Sequence, residues 1–123
     1  MKRIMLVDDD KEFLNEMSEI LKLSGYEVFL FSDSTNAAIE AIDLKPDLIL
    51  LDLKMDNKSG FKVADELRSI TATKDIPIIA VTGVFTRKEH KLLMKVCNFR
   101  ESLIKPINPL DIIVAIERIY SNK

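Results

Sequence analysis

The sequence predicts a doubly wound α/β fold, a parallel β-sheet with helices on both faces. Two observations carry this prediction. Five short apolar runs alternate with amphipathic helical stretches through short links, a pattern that implies parallel strands and right-handed crossovers. The central run, Leu48-Ile49-Leu50-Leu51, is apolar at every position, as in a strand buried on both faces. That run leads straight into Asp52. The carboxylate therefore stands at the carboxyl end of the strand, the edge at which open α/β sheets bind ligands.

Ile4-Met5-Leu6-Val7 reads as the first strand and ends in Asp8-Asp9-Asp10. Phe13, Leu14, Met17, Ile20 and Leu21 then recur at helical spacing, with Asp10 placed to cap the helix and Gly25 to end it. Residues 26–31 read as the second strand. Asp33-Ser34-Thr35 is a cap cluster before a helix carrying Ala37, Ala38, Ala41 and Ile42, which Pro46 stops. After Asp52, a polar loop over residues 54–59 leads to Gly60 and a third helix marked by Phe61, Val63, Ala64, Leu67 and Ile70. Residues 76–81 form the fourth strand, with Pro77 tolerated near its start, and Thr82-Gly83 follows. Thr86-Arg87-Lys88-Glu89 is a capping box for a fourth helix with Glu89, Leu92, Leu93, Val96 and Cys97 on one face. Ser102-Leu103-Ile104 is a short fifth strand ending in Lys105-Pro106.

Asn108 as cap and Pro109 in the first turn start a last helix, from Leu110 to Tyr120. At about 100° per residue, Ile112, Ile113, Ala115, Ile116, Ile119 and Tyr120 share an arc of about 160°, a normal core face. Leu110 and Val114 fall outside it, one turn apart, among Asp111, Glu117, Arg118 and Ser121. They are expected on the surface, where they would suit a docking or dimer contact.

A chain of 123 residues fits one domain, residues 1–123. Its hydrophobic content of 47% argues against disorder, and its net charge of -2 gives no drive toward nucleic acid or anionic membrane. One cysteine, Cys97, excludes an internal disulfide and is expected to pack in the interior. His90 falls on the polar side of its helix. There is no signal-peptide pattern at the start and no apolar run near 20 residues, so a cytoplasmic protein is expected.

If the strands are parallel, their carboxyl ends bring Asp8, Asp9, Asp52, Thr82 and Lys105 to one edge. Two carboxylates ~5 Å apart repel by about 3 kcal/mol at an effective dielectric near 20. Three together imply a cation. With oxygen ligands alone, the ion suits Mg²⁺ or Mn²⁺. Asp52 then remains as an oxygen nucleophile toward phosphorus. The metal and the Lys105 ammonium would neutralise charge on the transferring group, Thr82 would donate a hydrogen bond to it, and Gly83 would leave the approach open.

The chain resembles the receiver domain of two-component response regulators over essentially its whole length. The resemblance rests on Leu6-Val7-Asp8-Asp9-Asp10, on Pro46-Asp47-Leu48-Ile49-Leu50-Leu51-Asp52 with Gly60 eight residues on, on Pro77-Ile78-Ile79-Ala80-Val81-Thr82-Gly83, and on Leu103-Ile104-Lys105-Pro106. It implies a flavodoxin-like (βα)5 fold with strand order 2-1-3-4-5. It implies that Asp52 accepts a phosphoryl group from the phosphohistidine of a sensor histidine kinase or phosphotransfer protein. Asp8, Asp9, Asp52 and the Lys54 backbone carbonyl would hold Mg²⁺, Thr82 and Lys105 would sense the phosphoryl oxygens, and the Lys105-Pro106 peptide would be cis. A downstream protein would bind the fourth helix, fifth strand and fifth helix. On this reading the chain is a signalling protein with self-phosphorylation and slow self-dephosphorylation, not a conventional enzyme.

Three positions depart from the family pattern. Asp56 stands where proline is usual, Ser102 where an aromatic residue is usual, and Cys97-Asn98-Phe99 where a small-Gly-small turn is usual. Two rival readings are weaker. A haloacid-dehalogenase-type phosphatase wants a second aspartate two residues after the nucleophile, and Lys54 stands there. A flavin- or nucleotide-binding flavodoxin-like module wants a phosphate loop after the first strand, where Asp8-Asp9-Asp10 would repel phosphate. A third rival is a receiver that works unphosphorylated, as a scaffold.

Overall fold

The structure is a computed structural model that describes residues 2–83, 88, 91, 92, 95 and 97–121. Five strands, β1 (Arg3–Val7), β2 (Glu27–Phe31), β3 (Leu48–Asp52), β4 (Ile78–Thr82) and β5 (Glu101–Ile104), form one parallel sheet in the order β2-β1-β3-β4-β5. Strands β3 and β4 are buried at every residue, as their unbroken apolar runs require.

Side chains alternate between the two faces of the sheet. Ile4, Leu6, Leu48, Leu50 and Ile79 pack with Leu14, Met17 and Leu21 of helix α1 (Lys11–Leu23) and with Ile112, Ala115, Ile116 and Ile119 of the C-terminal helix α4 (Pro109–Ser121). Met5, Val7, Ile49, Leu51, Ile78 and Ala80 pack with α2 (Ala37–Leu44) and α3 (Gly60–Ser69). The core face expected for the last helix is the one observed, and Leu110 and Val114 are 70% and 50% exposed.

Helix ends follow from local chemistry. Asp10 caps α1 by accepting from the N–H groups of Glu12 and Phe13. Ser59 caps α3 through Lys62 N–H, and Asn108 Oδ1 accepts from Leu110 N–H at the start of α4. The expected cap cluster at Asp33-Ser34-Thr35 does something else. Asn36 occupies the N-cap of α2 without a side-chain bond, while Asp33 and Ser34 bond to the loop after β3. β4 begins at Ile78, two residues later than the sequence suggests. Ile76 is held in a turn by Thr73, and its carbonyl accepts from Arg68 Nη1 at 2.8 Å. The same Nη1 donates to Lys74 O at 2.8 Å, and Nη2 donates to Asn98 O at 3.2 Å. Asn98 is left-handed (φ 54°) in the turn before β5, which Asn tolerates. The capping box at residues 86–89, the position of His90 and most of the predicted fourth-helix face lie outside the described residues.

Candidate functional site

Strand register assembles the site. Val7 pairs with Leu51, so Asp8 emerges beside Asp52 at the point where the strand order reverses about β1. Asp52 pairs with Val81, and Thr82 with Ile104, so Thr82 and Lys105 arrive from the other side. All five residues expected at the edge are brought there. Asp8, Asp52 and Thr82 are buried, whereas Asp9 is exposed.

Asp8, Asp9 and Asp52 each offer a carboxylate oxygen within 4.8 Å of the others. Lys105 Nζ stands 2.8 Å from Asp8 Oδ2 and 3.8 Å from Asp52 Oδ2. The Lys105 ammonium also lies 4.3 Å from the centroid of the Phe13 ring, a cation–π contact. Phe13 was legible only as a core residue of α1. Its second role would show in the sequence only as an aromatic ring in the turn just after the acidic cluster.

The carboxylates are oriented by backbone donors. Asp8 Oδ1 accepts from Asp10 N–H at 2.9 Å, Asp52 Oδ1 from Lys54 N–H at 3.2 Å, and Asp9 Oδ2 from Asp56 N–H at 3.4 Å. Burial first, and the Asp8 charge next, push the Asp52 carboxyl up to about 6 against the opposing Lys105 charge. Thr82 Oγ1 is buried without a hydrogen-bond partner among the described residues, the state expected of a hydroxyl kept for a ligand oxygen.

The backbone around Asp52 is close-packed. A Cβ at Gly60 would overlap the Asp52 carbonyl oxygen, so only glycine fits there. Gly83 is different: a Cβ there would meet nothing within 4 Å, which agrees with an open approach above β4. The Lys105-Pro106 peptide is cis. Ser102 faces the same side as Ala80, with its hydroxyl buried and unpartnered among the described residues. Phe99 is 5% exposed within the core that includes Ala80, so its ring is already packed away.

The donor set fits a hard divalent ion. Every candidate ligand is oxygen, the carboxylates converge, and one of them is exposed on the solvent side. A family model for the response regulator receiver domain matches residues 4–117. The chain belongs to that family. It is 30% identical over 97% of its length to the transcriptional regulatory protein CpxR of Escherichia coli (strain K12), and 29% identical over 96% to the phosphate regulon transcriptional regulatory protein PhoB of Pseudomonas aeruginosa. It spans 49% and 51% of those two proteins, about half their length. Among solved structures it superimposes on a response regulator from Desulfuromonas acetoxidans with a TM-score of 0.90 at 28% identity, each chain 98% covered. It superimposes on the chemotaxis protein CheY4 of Vibrio cholerae with a TM-score of 0.89 at 28% identity, covering 96% of this receiver and 98% of that chain. The chain is thus a response regulator receiver domain by sequence and by fold. Among the described residues no helix is long and apolar enough to cross a membrane.

Proposed function

We propose that Asp52 is the phosphoacceptor. One carboxylate oxygen of Asp52 attacks the phosphorus of a phosphohistidine on a sensor kinase or phosphotransfer protein. The new P–O bond forms as the P–N bond breaks, and the imidazole nitrogen leaves with the electron pair and takes up a proton. The observation that carries this reading is the burial of Asp52 at the strand-order reversal, with Asp8, Asp9 and Lys105 gathered around it. Asp8, Asp9, Asp52 and the Lys54 backbone carbonyl would hold Mg²⁺ or Mn²⁺. When bound, that ion supplies positive charge to the phosphoryl oxygens. The Lys105 ammonium stands within reach of both buried carboxylates and offsets negative charge as the group transfers. Thr82 donates its hydroxyl to a phosphoryl oxygen. Slow attack by water on the same phosphorus breaks the P–O bond to Asp52, releases inorganic phosphate and returns the carboxylate to its free state.

The product is a changed surface on residues 1–123, which form a single receiver. The surface includes β5 and α4, where Ile104, Leu110 and Val114 are exposed. A downstream protein, or a second copy of the chain, covers it. The deciding experiment is incubation with acetyl phosphate or beryllofluoride plus Mg²⁺, comparing wild type with Asp52→Asn by mass and NMR. An adduct is expected in wild type alone. An equal adduct in both, or none in wild type, overturns the assignment.

A further inference from the structure

The loop that follows Asp52 is held from outside the carboxylate cluster, by residues the phosphoacceptor reading does not use. Ser34 lies between β2 and α2 and is 1% exposed. Its hydroxyl donates to Lys58 O at 2.6 Å and accepts from Lys58 N–H at 3.0 Å. One buried side chain thereby satisfies both backbone groups of one loop residue. Two further ties run to the same corner and one to α3. Asn57 Nδ2 donates to Asp33 Oδ1 at 3.1 Å, Lys58 Nζ donates to Thr35 O at 2.9 Å, and Lys58 Nζ pairs with Glu66 of α3 at 2.8 Å.

The inner side of the same loop carries the site. Lys54 N–H orients Asp52 and Asp56 N–H reaches Asp9. Gly60 N–H closes the loop on Leu53 O at 3.1 Å, and Gly60 lies so close to Asp52 that an added Cβ would overlap the Asp52 carbonyl oxygen. Lys58 is thus tied into a short, closed loop whose first residues meet the carboxylates. A proline at position 56 would stiffen this loop through its fixed φ. Asp56 does not, and the ties from the β2–α2 corner take that task.

We propose that Ser34 is a positioning residue for divalent-cation binding: by clamping the Lys58 backbone it holds the loop whose Lys54 and Asp56 N–H groups orient Asp52 and Asp9. This rests on reading the cluster as a Mg²⁺ site, and the test separates the two. Mg²⁺ is titrated calorimetrically into the wild-type chain, Ser34→Ala, Ser34→Cys and Asp9→Asn, beside metal-free thermal melts. Ser34→Ala is expected to raise the Mg²⁺ Kd about tenfold, the scale of one lost net hydrogen bond's worth of preorganisation. Ser34→Cys, which keeps volume but bonds poorly, is expected to fall between. At saturating Mg²⁺ the rate of acetyl-phosphate labelling of Ser34→Ala should return to within about twofold of wild type, the signature of a binding effect. A lower melting temperature with an unchanged Mg²⁺ Kd makes Ser34 merely structural and overturns the proposal. Should Ser34→Ala not fold, Ser34→Cys decides by the same titration. No Mg²⁺ binding by wild type, or equal binding by Asp9→Asn, overturns the metal reading itself, an outcome distinct from an unchanged Kd in Ser34→Ala alone.

Discussion

At Asp52 burial makes the charge of a carboxylate costly. Its pKa rises from an ordinary 3.8 to about 6 in the metal-free fold, with burial the largest cause and the Asp8 charge next. The folded state therefore binds the proton more tightly than the unfolded chain. The resulting stabilisation is fully present below about pH 3.8 and is lost as pH rises through about 6. Metal-free wild type should lose up to about 3 kcal/mol relative to Asp52→Asn between about pH 4 and pH 7, measured by urea denaturation at a series of pH values. Asp33 acts in the opposite sense: its pKa is lowered, first by Thr35 N–H, so its contribution fades as pH falls. Comparing wild type with Asp52→Asn cancels that term. Repulsion alone suggests that Asp8→Asn and Asp9→Asn both stabilise the metal-free protein. The ion pair at 2.8 Å between Asp8 and Lys105 changes that expectation for Asp8. Asp9→Asn should gain a few tenths of a kcal/mol, whereas Asp8→Asn should gain nothing or lose about 1 kcal/mol, read from the same denaturation curves at pH 7.

Strands and helices were legible where their pattern was strong. The unbroken runs of β3 and β4 and the wheel of α4 translate directly into buried faces, because burial on both sides or along one stripe leaves no other period. What was not legible was which polar residues reach across between connections. Asp33-Ser34-Thr35 has the composition of a helix cap, and only the approach of the loop after β3 shows that Ser34 and Asp33 bond to Lys58 and Asn57 instead. Arg68, in the last turn of α3, gathers the carbonyls of Lys74, Ile76 and Asn98, partners that no local pattern announces. The start of α3 carries a sharper constraint. Gly60→Ala should cost about 2 kcal/mol or more, since the added methyl meets the Asp52 carbonyl, which is backbone and cannot rotate away. Chemical denaturation checks this, and a loss under 0.5 kcal/mol would mean the loop yields easily. On α4 the expectation is reversed. Leu110→Ser with Val114→Ser should move stability by no more than about 0.5 kcal/mol, because both side chains already face solvent. Self-association or partner affinity should fall if that face is the docking surface, and unchanged affinity removes both residues from it.

Across the whole molecule, the sheet concentrates cost and function on a single edge. The folded chain brings three carboxylates within 4.8 Å and sets one ammonium against two of them, so the metal-free fold keeps unrelieved negative charge at its strand ends. The unfolded chain separates Asp8 and Asp9 from Asp52 by more than forty residues and presents no such cluster. A divalent cation held by this cluster would therefore favour the folded state, and its binding free energy would add to stability. Mg²⁺ at about a hundred times its Kd should stabilise the protein by about 2.7 kcal/mol, a rise in Tm of several degrees for a domain of this size. The gain should grow with the logarithm of Mg²⁺ concentration, whereas screening by added salt would level off and act equally for Na⁺ at matched ionic strength. Asp9→Asn should lose most of the Mg²⁺-specific part while keeping the Na⁺ response. Melts in which Mg²⁺ and Na⁺ act alike would show that the cluster is relieved by diffuse screening and not by a bound ion.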